Sequence, residues 1–171
     1  EEVRRRGYEL IYLSGPIDEM VLAALAEQDG KKFCNVVTDD LGFETEDEKK
    51  ATEELESENK DFIAFVKEVL GEAVAQVRFS RKLSSLPCCL STEGGLTLEM
   101  EKYFRLGPSA ERVLELNGEH SAVKALMAAY EKGDKARAKD LSLILARLAE
   151  LMAGAEIEEP AEFAALVSAL F

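Results

Sequence analysis

The fold of this chain is decided by the stretch Arg81–His120, which reads RKLSSLPCCLSTEGGLTLEMEKYFRLGPSAERVLELNGEH. Apolar runs at Cys88–Ser91 and Val113–Leu116 are typical of short strands. Between them lies a brief segment bracketed by Gly95 and Gly107-Pro108. Its large apolar residues recur at helical spacing and fall on one narrow face: Leu96, Met100, Tyr103 and Phe104. The stretch therefore predicts two strands joined through a short amphipathic helix.

Periodicity alone leaves two interpretations of this short helix open. The apolar face is either ordinary core or an exposed patch that grips other polypeptides. Methionine adapts its shape and aromatic rings supply contact area at low entropy cost, so the second interpretation is chemically reasonable.

Other elements surround this stretch and place the chain in the α+β class. A long helix is predicted over 47–70, ended by Gly71, and alternating residues 75–79 predict a third strand of the same small sheet. Beyond the sheet the chain becomes entirely helical, with helices predicted over 121–131, 135–153 and 160–171.

The N-terminal part has a different pattern. Tyr8–Leu13 is rich in strand-forming residues, Ser14-Gly15-Pro16 begins a helix that we expect to end at Gly30, and Phe33–Val37 resembles a second strand. This order predicts a short parallel, right-handed βαβ unit. It is too small to stand alone, so we expect it to be the last piece of a larger α/β domain. The turn lacks the glycines and lysine of a phosphate-binding loop.

Charge and composition exclude several functions. The net charge is −13, and residues 38–72 hold thirteen acids against four lysines, which favours a solvated helix face over a metal site. Such a field repels phosphate backbones, so we expect no nucleic-acid partner. No apolar run approaches the roughly 20 residues of a membrane span, and no secretory signal opens the sequence. Three cysteines are an odd count, and we expect a reducing cytoplasm.

Two apolar stripes occupy the predicted C-terminal helices. The first contains Leu141, Ile144, Leu145, Leu148, Leu151 and Met152, and the second contains Phe163, Leu166, Val167, Leu170 and Phe171. A short connector containing Gly154 and Pro160 predicts an antiparallel hairpin, which cannot bury both stripes alone. Either the rest of the chain covers them, or two hairpins form a four-helix bundle in a homodimer.

Catalytic motifs and metal-binding spacings are missing, so no catalytic or metal-ligating residue is predicted. The only histidine, His120, precedes a predicted helix and is interpreted as a cap or packing residue. Cys88 and Cys89 point to opposite faces of their strand and are unsuited to a disulfide with each other. A thiol-dependent enzyme or sensor built on this pair is kept as one hypothesis, and a free-standing dimeric scaffold as another.

Several motifs resemble the heat shock protein 90 family of chaperones. The segments that carry the resemblance are Leu86–Leu90 (LPCCL), Met100–Phe104 (MEKYF), Arg112–Asn117 (RVLELN) and, upstream, Gly7–Phe33 (GYELIYLSGPIDEMVLAALAEQDGKKF). They cover most of the chain in the family's order. Gly118 and Ser121 depart from the family, which usually has prolines near His120. The ending VSALF lacks the acidic tail of eukaryotic cytosolic forms, so the resemblance points to the bacterial type.

The resemblance implies a domain organisation and a function. Residues 1–45 would end the family's middle domain, and residues 46–171 would form its C-terminal dimerisation domain. The C-terminal hairpin would dimerise, and the stripe of Leu96, Met100, Tyr103 and Phe104 would contact unfolded or partly folded client proteins. ATP and Mg²⁺ would bind in upstream domains, so this segment would itself be neither an enzyme nor a cofactor-binding protein.

Overall fold

The computed structural model of the chain describes residues 2–36, 41–42, 45–83, 85–93, 103, 111–155, 157 and 159–170. These residues form seven α-helices and two small sheets, which confirms the α+β class. The chain divides into two compact units, Glu1–Asp39 and Asp40–Phe171.

The first unit contains two helices and a hairpin. Helix α1 spans Glu2–Arg5, α2 spans Pro16–Leu25, and strands β1 (Glu27–Gln28) and β2 (Lys31–Lys32) pair antiparallel. The start of α2 is fixed by Asp18, whose carboxylate accepts hydrogen bonds from the backbone amides of Ser14 and Gly15 at 3.1 Å.

The predicted parallel βαβ unit is wrong. Tyr8–Leu13 forms no strand and has no ladder partner among the described residues of this unit, and Val37 lies outside them. Strand propensity mostly reflects packing on a pleated, half-buried surface. That surface is lacking here, since Tyr8 and Tyr12 are 57% and 74% exposed.

Helix α2 also ends earlier than predicted, at Leu25 instead of Gly30. Asp29 and Gly30 have φ values of 52° and 76°, the positive pair that a two-residue type I′ hairpin turn requires. This Asp-Gly turn joins β1 to β2, so an antiparallel hairpin stands where the sequence patterns suggested a crossover to a parallel strand.

The second unit contains the larger sheet and five helices. Its elements are α3 (Glu46–Glu58), α4 (Lys60–Leu70), a 3₁₀ turn (Gly71–Ala73), β3 (Gln76–Phe79), β4 (Cys88–Glu93), β5 (Glu111–Leu116), α5 (Ser121–Glu131), α6 (Lys135–Met152) and α7 (Pro160–Ser168). The three predicted strands and the three C-terminal helices are confirmed within a few residues.

The predicted single helix over 47–70 is divided into α3 and α4. Thr45 begins α3 with a reciprocal capping box, in which its hydroxyl accepts from the Glu48 amide and the Glu48 carboxylate accepts from the Thr45 amide. Asn59 ends it, and its side-chain amide donates to the Leu55 carbonyl at 2.8 Å. The side-chain bond and the backbone φ of −112° at Asn59 interrupt the helix.

The sheet has the order β3-β5-β4, with β3 parallel and β4 antiparallel to the central strand β5. One of its faces carries apolar side chains that form the core of the second unit together with residues of α4, α5 and α6: Val77, Phe79, Cys88, Leu90, Leu114 and Leu116. Phe62 of α4 joins them, with its ring stacked 6.1 Å from that of Phe79. The opposite face is polar and carries the paired charges described below.

Candidate functional site

Capping interactions define both ends of α6 and the start of α7, the two helices of the C-terminal hairpin. Asp134 caps α6, because its carboxylate accepts from the Arg137 amide at 3.1 Å. At the other end, the Gly154 amide donates to Leu151 and the Ala155 amide donates to Glu150, which is a Schellman motif. Gly154 takes the φ of 72° that this motif needs. Pro160 then occupies the first turn of α7, where its missing amide hydrogen costs nothing.

One face of α6 packs inside the second unit. Leu141 and Leu145 are 8% and 2% exposed and belong to the core, and Ile144 is 6% exposed. Helix α6 contacts β4, α4 and α5. The Cys88 thiol donates to the Leu145 carbonyl at 3.1 Å and ties the strand to the helix. These members of the predicted interface are therefore buried already within the single chain.

The far end of the hairpin is much more open. Leu148 packs partly against the core, but Leu151 and Met152 are each 45% exposed. Helix α7 contacts α6, yet α7 has no buried residue. Its predicted interface residues are half-buried (Phe163, Leu166 and Val167), and Leu170, which follows the helix, is 40% exposed. Phe171 lies outside the described residues. The structure thus buries Leu141, Ile144 and Leu145, half-buries Leu148 and the three residues of α7, and exposes Leu151, Met152 and Leu170.

The predicted client-binding stripe can be placed at one position only. Leu96, Met100 and Phe104 lie outside the described residues. Tyr103 is described and is 57% exposed. An exposed tyrosine presents an apolar ring with a polar end, a combination common at protein interfaces.

The cysteine pair does not have the properties of a reactive site. Cys88 is buried and Cys89 half-buried, and burial raises the pKa of each thiol to about 12. Both thiols are therefore protonated at neutral pH, whereas the thiolate is the nucleophile and the metal ligand. This opposes the hypothesis of a thiol-dependent enzyme or sensor.

A charged cluster on the polar face of the sheet was not found from the sequence. The Arg78 guanidinium bonds the carboxylates of Glu93 and Glu115, the latter at 2.6 Å, and the Ser91 hydroxyl donates to Glu115 at 2.9 Å. Burial alone would raise the pKa of Glu115. The hydrogen bonds from Arg78, Ser80 and Ser91 and the positive charge of Arg78 lower that pKa overall. The cluster could have been predicted from the cross-strand register, which places Arg78 opposite Glu115, but that register depends on the strand order of the sheet.

Other expectations are tested by single observations. His120 caps α5, since its Nδ1 accepts from the Ala122 amide at 3.1 Å, and this confirms its predicted role as a cap. In the described part of the chain, no cluster of three or more acidic, histidine or cysteine side chains is arranged to hold a metal ion. Nor is any described helix long and apolar enough to cross a membrane.

Comparison with known proteins establishes the family. The sequence profile of the family described as Hsp90 protein matches residues 1–171, so the chain belongs to the Hsp90 family. It is 41% identical over 175 residues to the chaperone protein HtpG of Clostridium acetobutylicum, an alignment that covers 99% of this chain and 28% of that protein. The chaperone protein HtpG of Bacillus subtilis is 38% identical over 168 residues, which cover 95% of this chain and 27% of the relative. The chain therefore spans a little over a quarter of the length of these relatives.

Proposed function

We propose that residues 46–171 are the C-terminal homodimerisation and client-contact segment of an ATP-dependent cytoplasmic chaperone, and that residues 1–45 end its middle domain. Membership of the Hsp90 family and similarity to bacterial HtpG proteins support this assignment. Binding and hydrolysis of ATP with Mg²⁺ belong, in this proposal, to parts of the protein outside this segment. No catalytic role is assigned to any residue here.

The observation that carries the dimer proposal is the open apolar end of the hairpin. Leu151, Met152 and Leu170 are 40–45% exposed, and α7 has no side chain that the chain buries fully. A second hairpin related by a twofold axis would cover these side chains and complete a four-helix bundle. Phe163, Leu166 and Val167 would be buried further by the same contact.

The buried members of the stripe have a supporting role in this proposal. Leu141, Ile144 and Leu145 hold α6 against the sheet and the other helices, and Leu148 marks the transition to the open end. The energy of association would come from the exposed residues beyond them, because only area removed from water on dimerisation contributes.

Sedimentation equilibrium tests the proposal directly. The chain should sediment with twice its mass of 18.9 kDa at high concentration and dissociate on dilution. A mass of one chain throughout the micromolar range would contradict it.

The proposal for client contact rests on Tyr103 and extends to Leu96, Met100 and Phe104. Tyr103→Ser should reduce the ability of the chain to suppress heat-induced aggregation of an unrelated protein. Tyr8→Ser is a matched control, since Tyr8 is also 57% exposed but lies in the other unit. Equal loss with both variants would argue against a specific role for Tyr103.

The proposed domain assignment of residues 1–45 is supported by the surface of the first unit. None of its described side chains is buried, and many large apolar ones are at least 42% exposed: Tyr8, Ile11, Tyr12, Leu13, Ile17, Met20, Val21, Leu25 and Val36. A unit that lacks a core of its own needs a larger domain to cover these side chains. Limited proteolysis should cut this unit in the isolated chain and spare it when the rest of the proposed middle domain is present. Equal cleavage in both would contradict the assignment.

A further inference from the structure

The turn between β5 and α5 is organised around Asn117, the residue that follows the strand. This residue is 8% exposed, its Nδ2 donates to the Leu86 carbonyl at 3.1 Å, and its Oδ1 accepts from the Glu119 amide at 3.0 Å. Its backbone amide also donates to the Pro87 carbonyl at 2.8 Å. The position therefore needs a short side chain with a donor and an acceptor on different atoms, which is the carboxamide of asparagine.

The next residue is a glycine because of packing and not because of its backbone angles. A Cβ atom at Gly118 would lie 3.0 Å from Cδ2 of Leu55 in α3 and 3.3 Å from Cδ1 of Phe79 in β3. These distances are shorter than ordinary van der Waals contacts, so a larger residue would have to displace one of these side chains. The close approach of α3 and β3 to this turn therefore favours glycine at this position.

These two structural demands place an asparagine directly before a glycine, and this pair is chemically reactive. Because no Cβ atom hinders it, the Gly118 peptide nitrogen can attack the carboxamide carbon Cγ of Asn117. The nitrogen loses its proton to hydroxide, the new C–N bond closes a five-membered succinimide, and the carboxamide nitrogen leaves as ammonia with a proton from water. Water then opens the ring at either carbonyl. The products are an aspartate, or an isoaspartate in which the main chain runs through the side-chain carbon.

The hydrogen bonds of Asn117 oppose this reaction in the folded chain. Loss of Nδ2 as ammonia breaks the bond to the Leu86 carbonyl, and the bond from the Glu119 amide fixes the position of Oδ1. Burial of the side chain also limits the access of hydroxide and water. The reaction therefore requires the turn to open first, and its rate is reduced to the fraction of molecules in which the turn is open.

We propose that Asn117 is a site of spontaneous deamidation that the folded chain protects and that reacts when the turn between β5 and α5 opens. The products do not restore the turn. A charged aspartate has no donor for the Leu86 carbonyl and places two acceptors against each other. Isoaspartate adds one main-chain carbon to the residue whose amide bonds Pro87. Chains in which this turn has opened thus acquire an irreversible change, and the inference depends on neither dimerisation nor client contact.

The test incubates the full chain, folded and unfolded in guanidinium chloride, at the same mildly alkaline pH and temperature. Peptide mapping by mass spectrometry follows conversion of the amide to an acid, and chromatography separates aspartate from isoaspartate. Asn117 should convert in the unfolded chain and at least about tenfold more slowly in the folded chain. The other two asparagines, Asn35 and Asn59, precede valine and lysine and are internal controls, because a side chain on the following residue hinders the attack. They should keep their amides over the period in which Asn117 reacts.

Two variants separate the chemistry from its structural effect. Gly118→Ala should slow the conversion of Asn117 in the unfolded chain, where only the hindrance of the new Cβ atom acts. Asn117→Asp copies one product and should lower the midpoint of thermal unfolding at neutral pH relative to the wild type. Protonation gives the aspartic acid a donor again, so this deficit should shrink as the pH falls toward the ordinary aspartate pKa of about 3.9.

Three results would overturn the proposal. The first is an Asn117 amide that survives in the unfolded chain as long as those of Asn35 and Asn59 do. The second is conversion at equal rates in the folded and unfolded chains, which would mean that the fold does not protect the site. The third is an Asn117→Asp variant as stable as the wild type at neutral pH, which would mean that this product restores the turn.

Discussion

Replacing Leu151 and Met152 together by serine is expected to dissociate the proposed dimer while leaving the fold intact. Each side chain is 45% exposed in the single chain. Complete burial of a leucine or methionine side chain is worth about 1.5–3 kcal/mol, so covering the exposed part is worth about 1 kcal/mol. Four such side chains meet across a twofold interface. The dimer should therefore lose about 4 kcal/mol, which corresponds to a dissociation constant roughly 700-fold higher.

The assay is sedimentation equilibrium over a concentration series, combined with urea unfolding of the same samples. Under conditions that keep the wild type monomeric, the unfolding free energy of the variant should stay within about 0.5 kcal/mol, because both substitutions are at exposed positions. The chain offers a closely matched control in Leu86→Ser, Met20→Ser, since these residues are 46% and 50% exposed and belong to neither helix of the hairpin. The control should dimerise as the wild type does.

Two outcomes would refute this reasoning. If the Leu151, Met152 variant keeps the wild-type dissociation constant, the open end of the hairpin is not the interface. If the control loses as much affinity as the variant does, the association is non-specific contact between exposed apolar side chains.

Three further predictions follow from the second unit and the cysteines. Glu115→Gln should make the unfolding free energy depend less on pH in the acid range. The pKa of the Glu115 carboxyl is lowered, so its charged form stabilises the fold at pH values above the ordinary glutamate pKa of about 4.3. This contribution is lost as the pH falls through the pKa of the folded state. Urea unfolding from about pH 3 to pH 7 measures it, and an unchanged profile would count against the ion pair. In the native chain at about pH 8, dithionitrobenzoate should react quickly with Cys34 alone, since burial raises the pKa of the two strand thiols to about 12; three fast thiols would contradict this. Leu145→Ala should cost about 2–5 kcal/mol of unfolding free energy, measured by circular dichroism, and a cost below about 1 kcal/mol would remove Leu145 from the core.

The elements of the second unit could be predicted well because its apolar periodicity is strong and glycine and proline residues mark the ends of its helices. Alternation at 75–79 and the short runs beside Cys88 and Val113 identified all three strands. The break at Asn59 could not be predicted, because apolar residues continue in helical phase from Leu55 to Phe62 across it. The side-chain hydrogen bond and the backbone φ of −112° at Asn59 distinguish two helices from one.

In the first unit, strand propensity and turn chemistry predict different structures, and the structure follows the turn chemistry. Tyr8–Leu13 has the composition of a strand, but composition cannot supply a ladder partner. The Asp29-Gly30 pair is among the strongest local signals for a hairpin, and it was present in the sequence. Gly30 taken alone predicts the end of a helix, whereas the pair predicts the hairpin turn that the structure has.

In the candidate site, periodicity predicts which residues share a face of α6 but not which of them are buried. Leu141, Leu145 and Met152 belong to one stripe of α6 and look equivalent in sequence. The structure buries the first two against the sheet and neighbouring helices and exposes the third. Which part of a stripe meets the core depends on where distant elements end, and no local pattern encodes that position.

The order of strands in the larger sheet affects how the chain folds during synthesis. The first two strands bond only to the central one, which is the last to be made. Synthesis continues for 37 residues from Phe79 to its partner Leu116. At about 5–20 residues per second, this interval lasts about 2–7 s. Strand β3 stays unpaired throughout this interval, and β4 is also unpaired once Glu93 has been made. The sheet can then close only when the last strand leaves the ribosome, so a segment assigned to a folding helper passes through an interval in which it is itself prone to aggregation.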